Sequence, residues 1–292
     1  MLEPRLASPG AALHALLDRC PLIAPGVYDA ITARIAEASG AKALYLSGAG
    51  ATNSMTAMPD MALITMDEMA RQAAYVTAAV RVPVIADADT GYGEAWNVIR
   101  TVREFERAGL AGLHLEDQES PKRCGHLDGK SLVSPGEMAS KIRAAVRARI
   151  DPRFFLIART DARGVEGLDA AIERATLYVE NGADCIFPEG LESSEEFAMF
   201  RERVSGPLLA NMTEFGRTPL ITAAEFGRMG YEIVIFPMTA FRVMMKAVGE
   251  TYATLLAEGT QAQLIDKMRT RRELYELIRY DEYEALDKKL AE

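Results

Sequence analysis

Residues 82–93 read VPVIADADTGYG, an apolar run that ends in two aspartates and a turn containing two glycines. The run is continuously apolar rather than alternating, which is typical of a parallel strand buried on both faces. The glycines allow the backbone of the turn to approach a ligand closely. This stretch therefore predicts a buried strand whose carboxyl end carries acidic residues.

The same pattern recurs along the chain, with helical stretches between the runs. One such stretch, 96–108, has apolar residues three and four apart and is followed by Gly109, as expected of a helix. Eight strands alternating with helices predict a (β/α)8 TIM barrel of the α/β class. A doubly wound open sheet is the alternative, but the first run is not followed by a Gly-rich dinucleotide loop. The eight runs are 21–24 (PLIA), 43–46 (ALYL), 82–86 (VPVIA), 112–115 (GLHL), 154–158 (FFLIA), 185–188 (CIFP), 207–210 (PLLA) and 232–236 (EIVIF).

Composition narrows the class of protein. The chain has 292 residues, of which 49% are hydrophobic and 26% charged, as in globular proteins. A net charge of −9 argues against a nucleic-acid binder, and the sequence contains no apolar run long enough for a membrane span. The N-terminus does not resemble a signal peptide. Three cysteines, Cys20, Cys124 and Cys185, are too few for a disulfide framework, so we expect a cytoplasmic protein.

The chain continues for more than fifty residues after the last predicted strand. Residues 240–258 and 261–290 both have helical patterns, whereas a barrel needs only one helix there. We therefore expect one domain over 1–292, with 240–292 as a C-terminal helical extension. The extension either packs on a neighbouring subunit or stays on its own barrel.

Polar residues follow six of the predicted strands. In a (β/α)8 barrel the active site lies at the carboxyl ends of the strands, so these side chains would converge on one face. A single aspartate at a strand end is usually a helix N-cap, but that explanation does not account for the whole set. The set comprises Ser47, Gly48, Asp87, Asp89, Glu116, Asp117, Arg159, Thr160, Asp161, Glu189 and Asn211.

Asp87 and Asp89 form the clearest pair. Residues i and i+2 of a strand point to the same side, so both carboxylates would face the same space, together with Glu116 from the next strand. Three carboxylates repel one another unless a cation lies between them, and oxygen ligands suit Mg²⁺ or Mn²⁺. The alternative for Asp89 is an N-cap or Asx-turn.

A second motif, KRCGH at 122–126, places Cys124 beside Lys122 and His126. Positive neighbours favour the thiolate of a cysteine, so this thiol is a candidate nucleophile, proton donor or metal ligand. Zinc needs four nitrogen or sulfur ligands and the chain has only three histidines, so a proton-transfer thiol is the preferred interpretation. His14, His114, Cys20 and Cys185 are interpreted as structural.

Arginine is suited to bidentate binding of carboxylates, and Arg159 at a strand end is the strongest candidate for that task. Arg242 and Arg271 are weaker candidates. From the residues alone, the chain is predicted to be a divalent-metal barrel enzyme that acts on a small polycarboxylate with a thiol acid or base.

Several motifs together resemble the isocitrate lyase/phosphoenolpyruvate mutase superfamily, over almost the whole chain. KRCGH is typical of its carbon–carbon lyases, and EGTQ (258–261) with MRTRRELY (268–275) is similar to its 2-methylisocitrate lyase branch. The resemblance implies Mg²⁺, a homotetramer, and a barrel whose last helix is swapped between subunits. The motifs that carry it are YLSG (45–48), DADTGYG (87–93), EDQ (116–118), KRCGH (122–126), RTD (159–161) and NMTE (211–214).

The resemblance also implies a role for each matching residue. Cys124 would be the catalytic acid, on a loop that closes over the substrate, and Tyr45 is one candidate for the base. Lys122, His126 and Arg159 complete the expected catalytic set. The metal would be held by Asp87 and Asp89, largely through water, with Glu116 further out. The expected substrate-binding residues are Ser47, Gly48, Ala49, Gly125, Glu189, Asn211, Thr213, Arg242 and Arg271.

The substrate has alternatives within the superfamily. FPMT at 236–239 favours the lyases, whereas LDGK at 127–130 is similar to 2,3-dimethylmalate lyases and oxaloacetate hydrolases. True isocitrate lyases carry insertions that this length does not allow. An alternative of another class is a non-catalytic carboxylate-binding barrel, which would not need the thiol of Cys124.

Overall fold

The computed structural model describes residues 6–18, 21–123, 125 and 129–291. They form two compact units, one up to Met238 and one from Thr239 onwards. The boundary lies next to residue 240, the predicted start of the extension. That both units belong to a single domain stays a prediction. Cys20, Cys124 and His126 lie outside the described residues.

The first unit contains eight parallel strands, each of which overlaps one predicted run. Their spatial order is β6-β5-β4-β3-β2-β1-β8-β7, and β6 and β7 meet through the bridge between Ile186 and Leu208. The sheet is therefore a nearly closed barrel, and the predicted (β/α)8 fold is confirmed. The strands are β1 Leu22–Val27, β2 Leu44–Leu46, β3 Val84–Asp87, β4 Gly112–Glu116, β5 Phe155–Thr160, β6 Cys185–Pro188, β7 Leu209–Asn211 and β8 Ile233–Phe236.

Helices follow the strands, and several start at capping boxes. At Thr65, Ser134 and Thr222 the side chain accepts a bond from the backbone three residues on, where a glutamate bonds back to the cap. Gly109, with φ of +90°, follows α5 as predicted. The helices are α1 Pro9–Leu17, α2 Ala30–Ala38, α3 Gly48–Thr56, α4 Met66–Ala79, α5 Ala95–Arg107, α6 Pro135–Ala148, α7 Leu168–Glu180, α8 Ser194–Arg203, α9 Ala223–Met229, α10 Thr239–Glu258, α11 Arg271–Ile278 and α12 Tyr280–Ala291.

The sheet separates an inner core from an outer one. On β5, Phe155 and Ile157 belong to the inner cluster, whereas Leu156 and Ala158 face the surrounding helices. This follows from the alternation of side chains along a strand. Cys185 is buried in the inner cluster, in agreement with a packing role. The ring of His14 contacts Phe155 edge to face at 5.1 Å, which also fits a structural role.

The second unit differs from its prediction. Residues 261–290 do not form one helix, because a 3₁₀ segment over Ala262–Lys267 precedes two separate helices. Thr270 starts α11 by bonding to Glu273 in a capping box, and Arg279 ends it with a left-handed φ of +61°. These local stop and start signals interrupt the periodic pattern. Within the described chain, no helix has both the length and the apolar character needed to cross a membrane.

Candidate active site

A layer of polar side chains lies at the carboxyl ends of the strands. On β5, the period of two that buries Phe155 and Ile157 places Arg159 on the same inner side, one step nearer the carboxyl end. The inner core is thus apolar toward the amino ends of the strands and charged at their carboxyl ends. The polar layer consists of Ser47, Asp87, Glu116, Arg159, Glu189 and Asn211.

Arg159 occupies the middle of this layer. Its guanidinium donates two bonds to Asp161, from Nε to Oδ2 at 2.9 Å and from Nη2 to Oδ1 at 3.1 Å. Nη1 lies 3.2 Å from Glu116 and 3.5 Å from Glu189, and the group stands 5.2 Å from the centre of the Phe187 ring. Burial opposes the charge, but the three carboxylates outweigh it and raise the pKa of Arg159. The guanidinium therefore stays ionised while buried.

Lys122 bridges two acidic residues. Its Nζ lies 2.5 Å from Asp60 Oδ1 and 3.0 Å from Asp89 Oδ1, and its side chain is only 3% exposed. Burial lowers the pKa of Lys122, but Asp89 and Asp87 raise it more, so the ammonium is charged. Asp60 is a site residue that the sequence analysis missed. It lies in the segment between α3 and α4 rather than at a strand end, so strand positions carried no signal for it.

The geometry of Asp89 differs from its prediction. Strand β3 ends at Asp87, and Asp89 adopts a left-handed φ of +47°, so strand alternation does not align the two residues. Instead the chain turns, and the N–H of Asp89 donates to Asp87 Oδ1 at 2.9 Å. Burial raises the pKa of Asp89 to about 6, against the opposing charge of Lys122. The two aspartates still share one buried environment.

Gly48 allows Asp87 to occupy its position. A Cβ on residue 48 would lie 2.5 Å from Asp87 Oδ2, which is closer than real atoms approach. Ser47 precedes it as the N-cap of α3, and its Oγ accepts a hydrogen bond from the Gly50 N–H at 3.1 Å. The backbone of 47–49 thus forms the start of a helix beside a buried carboxylate.

His114, interpreted from the sequence as structural, lies beside Asp87 in this layer. Its Nε2 lies 2.9 Å from the hydroxyl of Tyr45 and 3.5 Å from Asp87 Oδ1. Burial lowers the pKa of His114 to about 4, so the ring is neutral near pH 7. Its inner position follows from the sequence, because His114 and Glu116 are residues i and i+2 of β4 and therefore point to the same side.

Tyr45 is poorly suited to be a base. Burial, followed by the charge of Asp87, raises the pKa of its hydroxyl well above the usual range. The neutral phenol is thus favoured, and it is available as a hydrogen-bond donor or acceptor for His114.

Glu116 is a carboxylate with unused oxygens. Its two oxygens are buried and accept no hydrogen bond from the described residues, although Arg159 lies 3.2 Å away. Burial raises the pKa of Glu116, and Arg159 and Lys122 offset this only partly. A buried acceptor that receives no hydrogen bond destabilises the fold, so the Glu116 carboxylate favours an additional positively charged partner.

The predicted metal residues do not form a direct three-ligand cluster. Within the described part of the chain, no group of three or more His, Cys, Asp or Glu side chains is placed to hold a metal ion directly. Contacts through water, as the resemblance implies, do not require such convergence. Among the described residues, the four carboxylates of Asp60, Asp89, Glu116 and Asp161 pair with the three cations of Lys122, Lys130 and Arg159, and this acidic surplus favours a further cation.

Gly125, within the KRCGH motif, packs directly on this layer. A Cβ on residue 125 would lie 2.3 Å from Glu189 Cγ and 2.5 Å from Arg159 Nη2. Asn211 donates from Nδ2 to Glu189 at 3.2 and 3.4 Å, which links the ends of β6 and β7. Thr213 is half-buried just after β7.

Asp117 and Thr160, two of the predicted strand-end residues, face away from the site. Asp117 accepts hydrogen bonds from Thr160 Oγ1 and from the Tyr178 hydroxyl, both at 2.8 Å. Arg174 lies 3.4 Å from the same carboxylate and donates twice to Glu166. This network joins β4 and β5 to α7. Side-chain alternation thus divides the polar strand ends between the site and the helix layer.

Arg242 and Arg271 belong to the second unit, at the start of α10 and of α11. Their predicted substrate-binding role stays a prediction, and so does the predicted catalytic role of Cys124 and His126.

Comparison with known proteins identifies the family. The family model described as phosphoenolpyruvate phosphomutase matches residues 12–256. A protein of Aeropyrum pernix named 2-methylisocitrate lyase is 56% identical, over 98% of this chain and 92% of its own length. One of the same name from Escherichia coli is 46% identical, over 96% and 95%.

Solved structures agree with this assignment. A 2,3-dimethylmalate lyase superposes with a TM-score of 0.92 at 37% identity, over 98% of this chain and 96% of its own. An oxaloacetate acetylhydrolase bound to 3,3-difluorooxalacetate gives 0.91 at 37% identity, over 97% of each chain. A phosphonopyruvate hydrolase in complex with oxalate and Mg²⁺ gives 0.89 at 28% identity, over 98% and 100%.

The relatives named 2-methylisocitrate lyase are carbon–carbon lyases, which confirms the predicted enzyme class. The chain therefore belongs to the phosphoenolpyruvate mutase/isocitrate lyase superfamily, as its motifs predict, and is a carbon–carbon lyase.

Proposed function

We propose that the enzyme cleaves 2-methylisocitrate to pyruvate and succinate with the help of Mg²⁺ or Mn²⁺. The observation that carries the proposal is Arg159, a buried guanidinium held among carboxylates at the mouth of the barrel. Such a fixed, charged fork suits a small polycarboxylate. The names of the 56% and 46% identical relatives support 2-methylisocitrate as the substrate.

Asp87, Asp89 and Glu116 would hold the metal, largely through water. Support comes from the acidic surplus among the described ion pairs, from the Glu116 oxygens, which accept no hydrogen bond from the described residues, and from a structural relative that binds oxalate with Mg²⁺. Oxygen donors of this kind suit a hard divalent cation. When bound, the cation would act as a Lewis acid that stabilises negative charge on a substrate oxygen.

The substrate carboxylates would be bound by two groups of atoms. Arg159 would bind the pyruvate half, and the backbone N–H groups at the start of α3, around Ser47, Gly48 and Ala49, would bind another carboxylate. The remaining proposed contacts come from Gly125, Glu189, Asn211, Thr213, Arg242 and Arg271.

The chemistry requires one proton to leave the substrate and another to return. A base removes the proton of the substrate hydroxyl, and the hydroxyl-bearing carbon becomes the ketone carbon of pyruvate. The bond to the neighbouring carbon breaks, and its electron pair stays on the succinate half. Cys124 would donate its thiol proton to that carbon, with His126 and Lys122 nearby in the chain. The high pKa of Tyr45 disfavours it as the base.

The experiment is a measurement of keto-acid release with 2-methylisocitrate, 2,3-dimethylmalate and oxaloacetate at equal concentration, with Mg²⁺ and with a chelator. We expect the highest kcat/KM for 2-methylisocitrate and loss of turnover with the chelator. A preference for 2,3-dimethylmalate or oxaloacetate would instead assign the enzyme as a 2,3-dimethylmalate lyase or an oxaloacetate hydrolase. Binding of oxalate without turnover of any substrate would instead favour a non-catalytic carboxylate-binding barrel.

We also propose a homotetramer in the cytoplasm, with the last helix exchanged between subunits. Support comes from the large apolar side chains that α10 exposes, among them Val243, Tyr252 and Leu256. Exposed apolar surface of this kind is typical of interaction sites. Light scattering during size-exclusion chromatography tests it, and a mass near 31.9 kDa would rule it out.

A further inference from the structure

Lys130 has an unusually buried ammonium for a residue of a loop. Its side chain is 4% exposed, and its Nζ lies 2.9 Å from Asp161 Oδ1. The same ammonium donates to the carbonyl oxygen of Gly125. Lysines are seldom buried unless they are paired, so these contacts define the position of this side chain.

Asp161 connects Lys130 to the substrate-binding arginine. Its carboxylate is fully buried and accepts the two bonds from Arg159 as well as the bond from Lys130. The backbone N–H of Asp161 donates to Asp117 Oδ1 at 2.9 Å, and this bond fixes the position of the Asp161 backbone. One rigid carboxylate therefore orients two cations.

Gly125 contacts both Lys130 and Arg159. Its Cα packs so tightly on Arg159 and Glu189 that a Cβ would lie 2.5 and 2.3 Å from them. The Gly125 carbonyl is tied through Lys130 to Asp161, which in turn holds Arg159. The Gly125 backbone and the guanidinium are thus fixed relative to each other by one lysine.

We propose that Lys130 is a positioning residue for this active site. It does so by tying the Gly125 backbone to the Asp161–Arg159 pair, which keeps the guanidinium fork aligned for a substrate carboxylate. The inference rests on the proposed function, and it predicts that Lys130 acts through Arg159 without needing to contact the substrate.

The first test is Lys130→Met, which keeps the aliphatic stem but removes the ammonium. We expect kcat/KM to fall about 10²-fold, as for other small misalignments of binding groups. The Kd for oxalate, measured by calorimetry, should rise at least about tenfold, with the melting midpoint shifted by less than about 4 °C. Lys42→Met is the matched control, because Lys42 is exposed just before β2, at the opposite end of the barrel.

A second test asks whether the ammonium itself is required. Lys130→Ala should regain part of its activity with added ethylamine, and Lys42→Ala should not respond. Asp161→Asn combined with Lys130→Met should cost no more than the worse single variant, because residues that act through one another are not additive. Wild-type kcat/KM and oxalate Kd in Lys130→Met would overturn the proposal.

The oxalate measurement separates this inference from the proposed function. If the wild type binds oxalate but turns over none of the three substrates, the proposed function fails while the effect of Lys130 on Kd still decides this inference. If Lys130→Ala does not fold, Lys130→Met provides the result. Independent, additive losses in the double variant would contradict a shared role with Asp161.

Discussion

The two ends of the barrel interior differ sharply in chemistry although the same strands build both. Toward the amino ends, Phe155 and Ile157 pack in an apolar cluster with Ile233 and Ile235. One step beyond Ile157, Arg159 sits among buried carboxylates. Because the side-chain period is unchanged, the difference lies in residue type alone.

This contrast predicts that stability and activity depend on different ends of the barrel. Burying apolar side chains stabilises the fold, whereas burying charges costs free energy that their pairing offsets only in part. Substitutions at the amino end should therefore act on folding, and those at the carboxyl end on binding and catalysis. The following variants test that division.

Phe155→Ala should have the largest effect, at the apolar end. Removing a fully buried ring leaves a cavity and should lower the free energy of unfolding by about 3–5 kcal/mol. The folded fraction should keep kcat/KM within about threefold of wild type, since catalytic groups are untouched. Urea unfolding and turnover on the same samples check this, with exposed Ile150→Ala as the control. A loss below 1 kcal/mol would contradict the division.

Arg159→Lys tests the charged end with the charge retained. An ammonium cannot reproduce the two parallel bonds of a guanidinium, so kcat/KM should fall about 10²–10³-fold. The melting midpoint should move by only a few degrees, because the carboxylates keep a cation. Steady-state kinetics and calorimetry measure both. Near-normal kcat/KM would mean that only the charge of Arg159 matters.

Cys124→Ser tests the proposed proton donor. We expect kcat to fall at least about 10²-fold, the usual contribution of a general acid. Oxalate should still bind with wild-type affinity, because serine preserves the shape of the side chain. Full turnover in this variant would remove Cys124 from the mechanism, and joint loss of oxalate binding would point to a binding role.

Glu116→Gln should have the smallest effect on turnover among the three variants of proposed active-site residues. It replaces a buried carboxylate that accepts no hydrogen bond from the described residues with a neutral amide. We expect the affinity for Mn²⁺, followed by electron paramagnetic resonance, to fall about tenfold. The metal-free protein should be as stable as wild type or slightly more stable. Unchanged Mn²⁺ affinity would exclude Glu116 from the metal site.

Much of the fold could be predicted because buried parallel strands are continuous apolar runs. Each predicted run overlaps a strand, and the run 185–188 matches β6 at both ends. The C-terminal helices were harder, because the cap at Thr270 and the left-handed Arg279 interrupt a pattern that is periodic overall. Periodicity alone does not show where a helix stops.

The site could be predicted only in part. Strand ends located Asp87, Glu116 and Arg159, because barrels place their chemistry there. Asp60 comes from a segment between helices, and its approach to Lys122 depends on long-range folding that local pattern does not encode. His114 was interpreted as structural, although its spacing from Glu116 also places it on the inner side of β4.

The closure between β6 and β7 has a mechanical consequence. These strands meet through the bridge from Ile186 to Leu208, supported by the bond from the Ile186 N–H to the Pro207 carbonyl at 3.0 Å. Glu189 and Asn211 stand directly above this seam, one on each side. A ligand that touches both would hold β6 and β7 together where they meet at an isolated bridge. Amide hydrogen exchange at Ile186 should accordingly slow when oxalate binds. Ligand binding would thus make the separation of β6 from β7 less frequent than in the free enzyme.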